Sequence, residues 1–69
     1  MATQMTPVSS SNISSVGYDA DTQTLVVTFN SGRTYRYGGV PESEYTNMLN
    51  ANSVGSYFAN SIKNFFRVV

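Results

Sequence analysis

Residues 24–37 run Thr24-Leu25-Val26-Val27-Thr28-Phe29-Asn30-Ser31-Gly32-Arg33-Thr34-Tyr35-Arg36-Tyr37, and their reading decides the fold. The first part is β-branched at Thr24, Val26, Val27 and Thr28 and ends on an aromatic, the composition of a strand. Asn30-Ser31-Gly32 fits a three-residue hairpin loop whose last position takes φ > 0, where glycine is least strained. That loop fixes a register. Phe29 faces Arg33, Val27 faces Tyr35 and Leu25 faces Tyr37, while Val26 faces Arg36 and Thr28 faces Thr34. Upstream, Val16 and Tyr18 alternate with Ser15 and Gly17, and a four-residue loop over 20–23 sets Asp19 against Thr24 and Tyr18 against Leu25. The two registers agree. One face collects Val16, Tyr18, Leu25, Val27, Phe29, Tyr35 and Tyr37. The other collects Ser15, Gly17, Thr24, Val26, Thr28, Thr34 and Arg36, with Val26 expected to be exposed.

Downstream, Gly38-Gly39 reads as a loop, and Pro41 suits a first helical position followed by Glu42 and Glu44 at the positive end of the helix dipole. Tyr45, Met48 and Leu49 lie at i, i+3 and i+4, and residues 50–52 end this helix. Ser53 is a good N-cap for a second helix in which Val54, Tyr57, Phe58, Ile62 and Phe65 form one apolar stripe. Asn60, Lys63, Asn64 and Arg67 then fall on the opposite, mildly basic side. The expected fold is α+β, a three-stranded antiparallel meander followed by two helices packed on one sheet face. Residues 1–12 read as a flexible or partly extended arm and residues 13–69 as a single domain. Residues 66–69 read equally as helix, short strand or tail.

Composition bounds the function. Of 69 residues, 28 are hydrophobic, a core small enough that oligomerisation becomes an expected source of stability. With no Cys and no His, disulfides, thiolate sites, the commonest metal ligand and the commonest general base are all missing. Neither an enzyme nor a cofactor is expected. Four basic and four acidic residues make 12% of the chain, about half the usual fraction. Ser, Thr, Asn and Gln supply a polar, uncharged surface that resists self-association poorly. No apolar run approaches the roughly 20 residues that span a bilayer, and residues 1–8 lack the pattern of a signal peptide. The expectation is a cytoplasmic bacterial protein, including one of a phage-infected cell, with no membrane partner.

Taken in order, Val8-Ser9-Ser10 with Ile13, Val16-Gly17-Tyr18-Asp19, Leu25, Val27, Phe29, Gly32, Tyr35-Arg36-Tyr37, Val40-Pro41 and Tyr45 resemble the KTSC family. Ala51, Ser53, Gly55, Phe58, Asn60 and Ile62 continue the likeness. This is a short domain named after the C-terminal region of some lysyl-tRNA synthetases and also found alone in bacterial and phage proteins. The resemblance implies a fold and suggests RNA binding; it brings no catalytic motif.

Several residues are candidates for binding. Tyr35 and Tyr37 are aromatic on a sheet, as in base-stacking platforms, but their register puts them under the second helix, so they and Tyr18 read as core or rim. Arg36 stands alone on an uncharged face. With Lys63 or Arg33, from the same or a neighbouring subunit, it is expected to contact phosphate. Ser53, Gly55 and Ser56 open a helix whose free N–H groups suit the same anion. Gly55 costs about 1 kcal/mol relative to alanine in a helix, which points either to tight packing on the sheet or to an approaching phosphate or partner backbone. Three functions compete. The favoured one is a homo-oligomeric module that sequesters a small phosphorylated or nucleotide-like ligand, as phage-encoded sponges for nucleotide signals do. RNA binding comes second and a protein-interaction module third.

Overall fold

The computed structural model describes residues 4–69, so the first three residues of the expected arm lie outside the described residues. Strands β1 (Met5–Pro7), β2 (Ile13–Asp19), β3 (Thr24–Phe29), β4 (Thr34–Gly38) and β5 (Arg67–Val68) form one antiparallel sheet in sequence order. The three-stranded meander is therefore the centre of a five-stranded sheet. Both extra strands are only two or three residues long, too short for alternation to reveal them. The central registers are those of the turn chemistry: Leu25 pairs with Tyr37, Val27 with Tyr35, Tyr18 with Leu25 and Asp19 with Thr24. Gly32 takes φ 95°, as the hairpin loop requires. A bulge between Ile13 and Ser15 breaks the β2 alternation, which lets Ile13 and Val16 both enter the core.

Helix α1 (Glu42–Asn50) begins one residue later than expected, with Pro41 at its cap, and buries Met48 while Leu49 stays largely exposed. Helix α2 (Val54–Tyr57) is capped by Ser53, whose Oγ accepts from the Ser56 N–H at 3.2 Å. It passes directly into a π-turn (Phe58–Ile62), closed by the Lys63 N–H donating to the Phe58 carbonyl at 2.9 Å. This turn corrects the expected stripe. The helical run ends at Ile62 instead of continuing through Phe65, and the chain turns over 63–66, so that Phe66 packs on the core and Phe65 is 71% exposed.

The core lies between the helices and one sheet face and includes Ile13, Val16, Leu25, Val27, Tyr37, Met48, Phe58 and Ile62. Val26, on the other face, is only 6% exposed, contrary to expectation. Val26 lies mid-row in the sheet, paired with Arg36 on one side and with Gly17 on the other, and Met5 pairs with Gly17 beyond it.

Tyrosine hydroxyls tie the layers together. The Tyr18 ring stacks on Tyr45 at 5.4 Å and its hydroxyl donates to the Val40 carbonyl, while the Tyr57 hydroxyl donates to the Glu44 carboxylate at 3.0 Å. Burial raises the pKa of Tyr18, Tyr37 and Tyr57 above 10.0; nearby Glu42 adds to it at Tyr18, and the Glu44 hydrogen bond adds to it at Tyr57. The folded state thus holds these protons more tightly than the unfolded chain does. Their contribution is complete below about pH 10 and is lost as the pH rises through the raised values. Melting temperature should fall above about pH 10, less steeply in Tyr57→Phe than in the wild type. Equal slopes would show that the hydroxyl bond is not protonation-linked.

Candidate binding groove

The inner-face residues of the β3–β4 hairpin run past the edge of the helical layer, and there a groove opens. Phe29, Tyr35, Tyr37 and Phe58 form its aromatic wall, with Phe29 edge-on to Tyr35 and Phe58 at 5.6 Å and Tyr37 edge-on to Phe58 at 5.4 Å. One part, about 290 Å³, is bounded by this wall, Asn12, Gly55, Ala59 and Lys63. A second part, about 440 Å³, continues over Phe29 and Tyr35 to Ser11, Asn30, Ser31 and Arg33. The two share Asn12, Phe29 and Tyr35. Tyr37 and Phe58 are buried, so the apolar surface open to a flat ring is that of half-buried Phe29 and Tyr35, and each end carries one cation.

Lys63 reaches the groove because of the π-turn. In an α-helix, at 3.6 residues per turn, it would stand roughly 140° round the axis from Phe58, on the solvent side where periodicity sets it. The hydrogen bond from Lys63 back to Phe58 instead brings the two close to one turn apart. Arg33 has the parity of Phe29 and Tyr35 and joins them in the second part. Arg36 has the opposite parity. It lines a separate cavity of about 270 Å³ with Thr34, Tyr35, Val68 and Val69, so the sheet separates it from Lys63 within one chain.

Gly55 is buried and lines the groove, but Ser53 and Ser56 line neither part of it, and the Ser56 N–H is already taken by the cap. The close approach at Gly55 is made by the N-terminal loop rather than by the sheet. A Cβ there would lie 2.9 Å from Ser10 Oγ, the atom that accepts from the N–H groups of Asn12 and Ile13. Gly55→Ala should therefore destabilise the fold by about 1 kcal/mol, the loss of two hydrogen bonds outweighing the gain in helix propensity. Made in a Ser10→Gly background, where those two bonds are already absent, it should instead stabilise by about 1 kcal/mol. Thermal melts of the single and double variants decide this, and an equal loss in both would place the strain elsewhere.

Asn12 is the residue that sequence reasoning missed, since it sits in a stretch without periodicity and its place depends on that approach.

A family model for the KTSC domain matches residues 9–66, which include every residue bordering the groove. The chain belongs to the KTSC domain family. The crystal structure of a KTSC domain protein from Yersinia pestis superposes with a TM-score of 0.94 at 44% identity, covering 99% of this chain and 96% of that one. A protein of Tsukamurella paurometabola is 40% identical over 65 residues, 94% of this chain and 97% of its own length. An uncharacterized protein of Stutzerimonas stutzeri is 45% identical over 49 residues, 71% of this chain and 69% of that protein. The five-stranded KTSC fold thus frames the groove.

Proposed function

We propose that this KTSC protein is a non-catalytic binding module that sequesters a small phosphorylated or nucleotide-like ligand in the groove, within a bacterial cytoplasm. The observation that carries the reading is the half-buried pair Phe29 and Tyr35, backed by buried Tyr37 and Phe58, with Lys63 at one end and Arg33 at the other. Stacking surface and charge-assisted contacts to phosphate are what such a ligand needs. Long RNA is the poorer match, because four cations limit the salt slope of single-strand binding to about −2.8, and four acids oppose them. Self-association belongs to the same proposal: Phe65, Val68 and Val69 are exposed on a chain with no net charge. Arg36 then serves the outer face, beside Val69, whose N–H donates to the Arg36 carbonyl at 2.8 Å.

Native mass spectrometry of the protein purified from cells tests both parts. The expected spectrum is a multiple of the 7.5 kDa chain carrying a nucleotide-sized mass. A bare monomer at high concentration would contradict the self-association and leave the groove without a retained ligand.

A further inference from the structure

Asn12 combines a fixed backbone with an unengaged side chain. Its N–H donates to Ser10 Oγ at 3.2 Å and its carbonyl accepts from the Asn30 N–H at 2.8 Å. The residue before it is held as well, the Asn30 side-chain amide donating to the Ser11 carbonyl at 2.8 Å. Among the described residues no group hydrogen-bonds the Asn12 side-chain amide, which is exposed and borders both parts of the groove. Gly55 lies close by, a Cβ built there falling 4.0 Å from Asn12 Nδ2. Of the two polar side chains common to both parts, Tyr35 offers a single hydroxyl, whereas the Asn12 amide sets a donor and an acceptor side by side and is held at its root and free at its tip.

Resting on the groove reading above, we infer that Asn12 selects the ring of the ligand, and that the ring is a 6-aminopurine of the adenine type. An asparagine amide offers a donor and an acceptor side by side, which match the acceptor N7 and donor N6 on one edge of adenine. A 6-oxopurine shows two acceptors on that edge and leaves the amide carbonyl without a partner. Phe29 and Tyr35 supply apolar surface for the ring, and Arg33 or Lys63 takes the phosphate.

Calorimetric titration with AMP and IMP, which differ at position 6 of the ring, tests this in the full chain. The wild type should prefer AMP by roughly 5- to 150-fold, the range for one bidentate pair. Asn12→Ala should abolish the preference, and Asn12→Leu, similar in size but with neither donor nor acceptor, should abolish it too. Unchanged melting temperatures in both variants would show that the loop holds. Equal binding of AMP and IMP by the wild type, or a preference that survives both substitutions, would overturn the assignment while leaving the groove as a nucleotide site. Failure of both nucleotides to bind would overturn the assignment and the groove reading together.

Discussion

Phe58→Ala is expected to leave the domain largely unfolded at room temperature. Phe58 is 4% exposed and is the ring at which helix, sheet and groove meet, edge-on to both Phe29 and Tyr37. Truncating a buried phenylalanine costs about 3 to 5 kcal/mol, and the two aromatic contacts add roughly 0.5 to 1.5 kcal/mol each. A chain of this length has only about 3 to 10 kcal/mol in total, at 0.05 to 0.15 kcal/mol per residue. Phe58→Leu, which keeps most of the volume, should stay folded with a lower melting temperature. Circular dichroism melts measure both, and a Phe58→Ala domain that melts like the wild type would show that this ring is not central to the core.

The second large effect is on binding. Of Lys63→Ala and Arg33→Ala, the one that removes the phosphate contact should weaken nucleotide affinity about 10- to 150-fold, since a charge-assisted contact to phosphate is worth roughly 1.5 to 3 kcal/mol. Both side chains are exposed, so stability should change little. Arg36→Ala is the internal comparison. Arg36 lies across the sheet from the groove, and within one chain its loss should be nearly silent. If calorimetry instead finds that Arg36→Ala weakens affinity as much, a neighbouring copy's outer face closes the site.

The sheet's centre was legible because two kinds of local chemistry agree: the Asn30-Ser31-Gly32 turn sets a register, and the alternation of Leu25, Val27, Tyr35 and Tyr37 sets the same one. Ser53 as a cap was legible for the same reason, being a local hydrogen bond. What periodicity failed to show is non-local or aperiodic. The edge strands Met5–Pro7 and Arg67–Val68 exist through their partners, and the bulge before Ser15 adds a residue that alternation does not anticipate. The π-turn has the largest consequence. It brings exposed Lys63 to the edge of the groove, and the turn that follows it places Phe66 rather than Phe65 on the core, changes invisible to a 3.6-residue pattern. The candidate site was legible in its residue types and only partly in its grouping: Lys63 and Gly55 border one part of the groove and Arg33 the other, Arg36, Ser53 and Ser56 stand apart, and Asn12 enters through its loop.

A nitrogen–proton correlation spectrum recorded during titration with AMP tests the central claim most directly. The groove account predicts that shifts concentrate on Asn12, Arg33, Tyr35, Gly55, Ala59 and Lys63, the residues lining its two parts. Shifts confined to Thr34, Arg36 and Val69 on the other side of the sheet, or none at saturating nucleotide, would contradict it.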